Sequence, residues 1–451
     1  MAMDEKRGTW SSRFGFLMAA VGSAVGLGNL WKFPYLAGEN GGGAFVLVYI
    51  ILVVVLGYTL MLAEMTIGRN ANSDAYGSYN KIKKGWGFIG AFGILAGFLI
   101  LSYYSVVGGW VLKYIVASVT GTGADKSAYF TTFISGTFEP ILYHLLFMGI
   151  TAVIVIKGIS GGIEKASKIV MPGLFALLLV IVIRSMTLEG AMTGIRYYVT
   201  PDFSQITLKV IIAALGQVFF SLSLGMGIMV TYGSYLNKEE NMETDAFIIP
   251  ALDSLVAIMA GFAILPAVFA FGFEPSAGPG LMFITLPAVF DSMPFGMIFS
   301  VLFFILVFFA AVSSSISLME VTVAFGIDQL KWTRKFSVIV FTSLMFIIGI
   351  GASLSFGPLK DLLVPWIDGK SYVIFDWLDV VTSYYLLPLG GILCAVFIGF
   401  VWKLPNAVKE IKEGSAFKTR VLWSFLIKFV VPVLVLLILL STTGALDFIL
   451  A

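Results

Sequence analysis

The sequence predicts an all-α integral membrane protein with eleven transmembrane helices, built as a 5+5 inverted repeat with helices 1 and 6 unwound at the midplane. Three observations lead to this fold class. The 451 residues are 59% hydrophobic and only 12% charged, about half the charged share of an ordinary soluble domain. The apolar residues form runs long enough to cross a hydrocarbon core, which takes about 20 helical residues. Two of these runs carry paired glycines near their centres.

Eleven apolar runs are expected to cross the membrane, and we number them as spans 1 to 11 in chain order. No long polar linker divides them, so residues 1–451 are expected to form a single transmembrane domain. The expected bounds are 13–37, 43–68, 87–117, 141–157, 168–188, 207–235, 244–272, 295–325, 336–356, 373–401 and 421–445.

The distribution of lysine and arginine predicts the orientation. The N-terminus and the loops on its side of the membrane hold most of these residues, whereas the loops on the other side hold far fewer. Cytoplasmic loops are enriched in lysine and arginine. We therefore expect a multi-pass protein of the plasma (inner) membrane with its N-terminus in the cytoplasm. After eleven spans, the C-terminus would lie outside.

Spans 1 and 6 each carry a Gly-x-Gly in mid-membrane, Gly26 with Gly28 and Gly225 with Gly227. Each glycine costs about 1 kcal/mol relative to alanine inside a helix, so such pairs invite a break. For a single pair, close packing through small residues is the simpler interpretation. Two pairs at matching positions, both beside polar residues, favour interrupted helices around a midplane binding site.

The spacing of these spans also predicts an internal repeat. Spans 1 and 6 are five apart, as expected if spans 1–5 and 6–10 form two repeats. Because five is odd, the second repeat would be inverted. We expect the repeats at roughly 10–190 and 205–402, with an additional helix at roughly 421–445.

Several function classes are disfavoured by the composition. Cys394 and His144 are the only cysteine and histidine, which excludes an internal disulfide and argues against a zinc or haem site. No span contains a histidine–cysteine or paired-acid catalytic set, so we do not expect an enzyme. Basic residues are scattered through short loops without forming a stripe, so we expect no nucleic-acid partner.

Oxygen-bearing residues surround both predicted breaks. A broken helix exposes carbonyl groups that can coordinate Na⁺ and amide groups that can face a carboxylate. Hard cations prefer oxygen ligands, and Asn29, Ser221 and Ser223 offer them beside the breaks. The run Ser313–Ser315 in span 8 adds three hydroxyl groups, although membrane serines commonly bond to their own helix backbone.

Two carboxylates, Glu64 in span 2 and Asp253 in span 7, are expected within the membrane, where acids are costly. Pairing with backbone amides is the structural alternative for both. We expect that role for Glu64, which would brace a broken helix. For Asp253 we favour a role in the site, because a bound sodium ion would offset its charge.

Together these residues resemble the neurotransmitter:sodium symporter family over nearly the whole chain. The resemblance implies the LeuT-like fold, and members of this family are themselves standard examples of the inverted-repeat architecture. The first long motif, Gly22–Tyr35, is highly specific. The matching stretches are Arg13–Gly15, Gly22–Tyr35, Glu39–Phe45, Glu64 with Gly68–Arg69, Tyr103–Ser105 with Gly109–Trp110, Gly216–Gly225 and Ser313–Ser315.

The resemblance implies two bound sodium ions. The first site would use the substrate carboxylate together with Ala24, Asn29, Ser221 and Asp253. The second would be formed by Gly22, Val25, Ala310, Ser313 and Ser314.

The resemblance also implies an amino-acid pocket between the two breaks. The substrate carboxylate would meet the backbone amides of the span 1 break, the hydroxyl of Tyr104 and the first sodium ion. Tyr104 and Phe220 would close the pocket from outside. The residues expected to line it are Gly26, Gly28, Ile100, Tyr104, Phe220, Ser223, Met226, Ser314 and Leu318.

Two charged pairs are expected to act as gates, Lys32 with Asp379 on the outer side and Arg7 with Asp328 on the inner side. Exposed ion pairs are usually worth under about 1 kcal/mol, and this weakness suits gates that must open.

The resemblance assigns further residues to the inner side. Trp10 would pack the N-terminal segment against the helices. Gly162 and Pro172 match the Gly-x₉-Pro motif of span 5 that the family links to inward opening.

The residues at the break also indicate the substrate class. Relatives that transport amines carry an aspartate at the position of Gly26. Here nothing replaces a missing substrate carboxylate, so we expect an amino acid. The pocket positions are apolar, which favours an apolar or aromatic side chain, and the flexible Met226 adapts to different shapes.

One departure from the family pattern concerns chloride. Tyr49, Gln217 and Ser221 match the chloride ligands of chloride-dependent relatives, but Ala257 stands where they have serine. Asp253 lies one helical turn before Ala257 on the same face. We hypothesise that its carboxylate supplies the negative charge that chloride would bring, so that transport is independent of chloride.

The expected function is sodium-coupled symport of hydrophobic and aromatic L-amino acids by alternating access, in a lipid bilayer, as a monomer or weak dimer. A non-transporting membrane amino-acid sensor is the alternative, and a proton-coupled relative is a further one. The preferred amino acid, the ion stoichiometry and protonation of Asp253 on the return step stay open.

Overall fold

Long apolar helices make up most of this computed structural model, which describes residues 8–273 and 280–442. Within these ranges, nine helices are long and apolar enough to cross a membrane. They correspond to predicted spans 2–5 and 7–11, which confirms the all-α membrane fold. Their bounds are Gly43–Ala71, Phe88–Thr120, Phe138–Val155, Ile159–Met186, Met242–Ala270, Gly296–Asp328, Arg334–Leu354, Ile374–Val401 and Arg420–Thr442.

Span 1 is a bent pair of helices, Arg13–Ala24 and Gly28–Glu39, whose axes differ by 51°. Counting this pair as one span gives ten candidate spans in the described ranges. The break falls at the first predicted glycine pair. At Val25 the backbone is already extended, with φ −70° and ψ 103°, so the first helix ends there.

Span 6 is also interrupted, as Leu208–Ser221 and Ile228–Gly233. Gly225 and Gly227 between them have φ values of 77° and 72°. These lie in the left-handed region that glycine adopts readily and other residues avoid. Neither helix alone is long enough to cross a membrane, so the count of eleven spans stays a prediction for this segment.

Shorter elements connect the spans. Residues 364–372 form a small antiparallel hairpin, in which Val364 faces Tyr372. The division into two inverted repeats stays a prediction. The shorter helices and strands are Ala75–Ile82, Lys126–Ser135, Ala191–Val199, Phe203–Gln205, Leu281–Asp291, Leu404–Lys412, Val364–Pro365 and Ser371–Tyr372.

The broken helices lie inside the bundle. The first helix of span 1 packs against spans 5, 7 and 8, and span 8 packs against spans 3 and 5. The second helix of span 6 lies directly on span 2. A Cβ added at Gly68 would lie 1.9 Å from the carbonyl oxygen of Val230, so only glycine allows this approach. The packing therefore surrounds both breaks with protein, which irregular backbone at membrane depth requires.

Candidate functional site

Glu64 braces the break of span 6. Its Oε1 accepts a hydrogen bond from the backbone amide of Gly225 at 2.8 Å, and the side chain is buried. An amide released from a helix would otherwise lack a partner inside the membrane. The predicted structural role of Glu64 is therefore confirmed by this contact.

The residues predicted for the first sodium site meet at the break of span 1. Asn29 Nδ2 donates to Ser221 Oγ at 3.0 Å and to Asp253 Oδ1 at 2.8 Å. Ser221 Oγ donates to Asp253 Oδ2 at 2.8 Å. All three side chains are buried, and Ala24 lines the adjoining cavity. Spans 1, 6 and 7 thus bring the Asp253 carboxylate, the Ser221 hydroxyl and the Asn29 amide group together, with the Asn29 oxygen bonded to the amide of Gly26 at 3.0 Å. Oxygen atoms of such groups are the ligands that a hard cation takes.

The structure brings Tyr49 and Ser221, two of the three residues that match the family's chloride ligands, to the Asp253 carboxylate. The hydroxyl of Tyr49 donates to Asp253 Oδ2 at 3.3 Å. Gln217 Nε2 donates instead to the carbonyl oxygen of Gly28 at 3.0 Å. Ala257 is buried and has no polar side-chain group to offer an anion. The one charged group in this cluster is therefore the Asp253 carboxylate.

The residues predicted for the second sodium site also come together, between spans 1 and 8. Ser314 Oγ lies 3.5 Å from the carbonyl oxygen of Gly22 and 3.3 Å from that of Val25. Ser313 Oγ lies 3.0 Å from the carbonyl oxygen of Ala310. This second group consists of neutral oxygens, which explains why it stands out less in the sequence than the Asp253 cluster.

A buried cavity lies beside both oxygen clusters, and all nine residues predicted to line the substrate pocket contribute to it. The sequence reasoning missed Ser23 and Leu27, which also line it. Both belong to the Gly22–Tyr35 motif. Each lies next to a glycine of this motif, and that position was the signal that could have identified them. Ser223 Oγ donates to the carbonyl oxygen of Ser23 at 2.9 Å and joins the two breaks.

Glycine at positions 26 and 28 leaves room in this cavity. A Cβ at Gly26 would lie 2.6 Å from Ser314 Oγ and 3.2 Å from the hydroxyl of Tyr104. A Cβ at Gly28 would lie 2.8 Å from the ring of Phe220. The amide of Leu27 donates to the Tyr104 hydroxyl at 3.3 Å. The Leu27 amide, the Tyr104 hydroxyl and Ser314 Oγ form a polar end of the cavity that fits a carboxylate.

The predicted outer gate residues have other neighbours here. The Lys32 ammonium lies 4.6 Å from the ring centroid of Phe220. Asp379 Oδ1 accepts hydrogen bonds from Tyr103 at 2.9 Å and from Ser383 at 2.7 Å. Among the residues that the structure describes, no ion pair joins Lys32 to Asp379. Their pairing therefore stays a prediction.

The predicted inner gate is only partly within the described residues, because Arg7 lies outside them. Asp328 Oδ2 accepts a hydrogen bond from the backbone amide of Asp74 at 2.7 Å, which ties span 8 to the segment after span 2. The Arg7–Asp328 gate stays a prediction.

The N-terminal segment is fastened at the inner end of the bundle. Trp10 is buried, and its Nε1 donates to the carbonyl oxygen of Tyr232 at 3.1 Å. The sequence reasoning missed Glu164, whose carboxylate accepts from the amide of Ser11 at 2.7 Å and from the hydroxyl of Ser12 at 2.9 Å. These partners lie about 150 positions away in sequence, so no local pattern indicated them.

Glu164 also connects the N-terminal segment to the predicted Gly-x₉-Pro motif. Gly162 and Glu164 share the π-helical turn Ile159–Glu164. Pro172 lies inside the helix that follows, Lys165–Met186. The Glu164 side chain therefore links the π-helical turn of span 5 to the N-terminal segment.

Two interrupted helices in an apolar bundle, with oxygen clusters at both breaks, define a secondary transporter. The chain belongs to the Sodium:neurotransmitter symporter family, whose model matches residues 7–131 and 135–447. It is therefore a sodium-coupled, multi-pass membrane transporter and not an enzyme.

Individual relatives agree with this assignment. The chain is 40% identical to an uncharacterized sodium-dependent transporter, YhdH, of Bacillus subtilis, over 99% of this chain and 100% of that protein. It is 42% identical to an uncharacterized sodium-dependent transporter of Haemophilus influenzae, over 97% of this chain and 98% of that one. The solved structure of MhsT in complex with L-phenylalanine matches with a TM-score of 0.89 and 44% identity, over 97% of this chain and 100% of that chain.

Proposed function

We propose that the protein is a symporter that moves hydrophobic and aromatic L-amino acids with two sodium ions by alternating access, without chloride. The observation that carries the proposal is the meeting of Asn29, Ser221 and Asp253 at the break of span 1, beside the cavity. A substrate carboxylate and a sodium ion bound side by side there would stabilise each other, which couples the binding of substrate to the binding of sodium.

The cavity supports an apolar substrate with a free carboxylate. Ile100, Met226 and Leu318 supply apolar surface, while the break of span 1 supplies amides and the Tyr104 hydroxyl. MhsT was solved with L-phenylalanine, an amino acid of this class. An aspartate at Gly26 would fill the polar end, as the 2.6 Å separation of a Cβ from Ser314 Oγ indicates. An amine without a carboxylate would leave these groups unpaired, which is costly in a buried site.

Two sodium ions follow from two separate oxygen clusters. We expect the binding of labelled leucine to the purified protein to rise with Na⁺ with a Hill slope between one and two. Removing Na⁺ should weaken binding roughly 100-fold, the upper range of coupling between two ligands. Scintillation proximity measurements with choline in place of Na⁺ give both values. Binding that is equally tight in choline would contradict the proposal.

Chloride independence follows from the Asp253 carboxylate. Leucine uptake should be unchanged when gluconate replaces chloride, because a fixed negative charge already lies beside Tyr49 and Ser221. A double substitution, Asp253→Asn with Ala257→Ser, removes that charge and adds a hydroxyl one turn later. This variant should regain uptake only with chloride present. Loss of wild-type uptake in gluconate would overturn the assignment.

Alternating access would use contacts at both ends of the bundle. On the outer side, Phe220 covers the cavity and carries the Lys32 ammonium on its ring. On the inner side, the Trp10 and Glu164 contacts hold the N-terminal segment against the end of the bundle. We propose that the N-terminus is cytoplasmic and that these inner contacts separate when substrate leaves.

A further inference from the structure

Lys428 is a positive charge placed within a membrane-spanning helix. It lies eight residues after the start of span 11, Arg420–Thr442, in the π-helical turn Leu426–Val430. Charged side chains at such positions are costly and are usually paired or functional. Within residues 8–273 and 280–442, no ion pair or hydrogen bond joins Lys428 to another side chain. The sodium and substrate sites do not involve it.

The side chain of Lys428 turns toward the end of the neighbouring helix. Its ammonium lies 5.3 Å from the ring centroid of Phe400 and 5.4 Å from that of Phe429. Phe400 is one residue before the end of span 10 at Val401. Long lysine side chains extend along apolar surface to bring their charge toward the membrane interface. The ammonium therefore lies level with the last turn of span 10, the end of the span that is expected to approach the lipid headgroups.

Spans 10 and 11 pack against each other beside this charge. A Cβ at Gly399 would lie 3.6 Å from Cα of Lys428, so the two helices approach closely there. Phe400 and Phe429 on either side are 54% and 53% exposed, which places them on the lipid-facing surface. The ammonium is thus approached from the lipid and not from the protein interior.

The surrounding loop adds positive charge. Residues 402–420 contain five lysines and arginines against two glutamates. Both glutamates are already engaged, since Glu410 and Glu413 lie 2.7 Å and 3.2 Å from the Lys238 ammonium. Lys403 and Arg420, which flank the end of span 10 and the start of span 11, are exposed. In the part of the chain that the structure describes, no ion pair joins Lys403 or Arg420 to an acidic side chain, so an anion bound here would meet charge that is not already neutralised.

We infer that the lipid-facing surface where spans 10 and 11 meet binds the phosphate headgroup of an anionic phospholipid, with Lys428 as its central contact and Lys403 and Arg420 at the adjoining helix ends. Basic pockets between transmembrane helices are suited to such headgroups. The acyl chains would lie along the exposed apolar faces of Phe425 and Phe429, both more than half exposed. Access from the lipid side favours a phospholipid over free phosphate.

Native mass spectrometry of the full chain, exchanged into detergent with phosphatidylglycerol or phosphatidylcholine, tests this site. Lys428→Met should retain roughly fivefold less phosphatidylglycerol, the effect of one basic residue at a membrane surface. Lys428→Arg should retain it, because the charge is kept. Lys84→Met removes an exposed lysine elsewhere and is the matched control, with wild-type retention expected. Thermal unfolding midpoints of the variants report whether each is folded.

Three outcomes would overturn the inference. Wild-type retention by Lys428→Met would remove Lys428 from any lipid site. Equal losses in Lys428→Met and Lys84→Met would indicate general surface attraction without a defined site. Displacement of phosphatidylglycerol by millimolar inorganic phosphate would make the site one for free anions. If Lys428→Met does not fold, retention by Lys428→Arg together with preference for phosphatidylglycerol over phosphatidylcholine decides the question.

Discussion

Replacing Asp253 with alanine is expected to abolish sodium-dependent transport. The substitution removes the one charged side chain of the proposed first sodium site and leaves Asn29, Ser221 and Tyr49 without their shared acceptor. Removing one partner of a buried charged network typically costs about 3–5 kcal/mol, which corresponds to roughly 100- to 4,000-fold in affinity. Labelled leucine uptake into proteoliposomes should fall to background, and binding should lose its dependence on Na⁺.

Asp245→Ala is the matched control for this prediction. Asp245 is a buried aspartate on the same helix, Met242–Ala270, and it is paired with Arg13 at 2.7 Å. Its loss should lower stability while the Na⁺ dependence of leucine binding remains. If the Asp253 variant also kept its Na⁺ dependence, Asp253 would be a structural carboxylate.

The second large effect is expected at Arg69, which is buried at the end of span 2. Its Nε donates to Glu410 at 2.8 Å, and its guanidinium also reaches the carbonyl oxygen of Glu240 at 2.9 Å. Arg69→Ala would leave the Glu410 carboxylate, 2% exposed, without its buried cationic partner. Such a loss costs about 3–5 kcal/mol. Thermal unfolding in detergent should show a marked decrease in the midpoint.

Lys238→Met is the control for this prediction, because it removes a positive charge beside Glu410 that is half exposed, whereas that of Arg69 is buried. The Lys238 ammonium lies 2.7 Å from Glu410, but its side chain is 44% exposed. Half-exposed ion pairs contribute about 0–1 kcal/mol, so this variant should unfold close to wild type. A wild-type midpoint for Arg69→Ala would show that the network does not stabilise the fold.

The same network predicts a dependence of stability on pH. Burial alone would raise the pKa of Glu410, but hydrogen bonds from Lys238, Asn70 and Arg69 outweigh it and hold the pKa below its usual value of 4.5. A carboxyl group whose pKa is lowered by folding stabilises the folded state above its unfolded pKa. This contribution is therefore present at neutral pH and is lost as the pH falls below about 4.5.

The sequence was sufficient for the parts of the molecule that depend on local composition. Glycine pairs at Gly26 and Gly225 marked both breaks because glycine is a poor helix former, and because the left-handed backbone at Gly225 and Gly227 favours a residue without a Cβ. The motif around Asn29 located only the span 1 members of the first cluster, Ala24 and Asn29, because these two are close in sequence. The resemblance to the family then joined Asp253 to this cluster across more than 200 positions.

Contacts that depend only on tertiary packing were missed. Arg69 and Glu410 are 341 positions apart. Each residue alone is typical of a charged side chain near a helix end, so the sequence did not predict their pairing. In the sequence, Glu164 looks like an ordinary residue of a polar loop, and only the folded structure shows its contact with Ser11. The position of Lys32 over the Phe220 ring depends on how the outer side is closed, which composition does not determine.

The most direct test of the central claim is uptake of labelled leucine, tryptophan, tyrosine and alanine into proteoliposomes driven only by a Na⁺ gradient. The site geometry predicts accumulation of leucine and the aromatic amino acids, collapse of accumulation when choline replaces Na⁺, and no accumulation by Asp253→Ala. Accumulation that persists unchanged without Na⁺ would contradict sodium coupling at the breaks of spans 1 and 6.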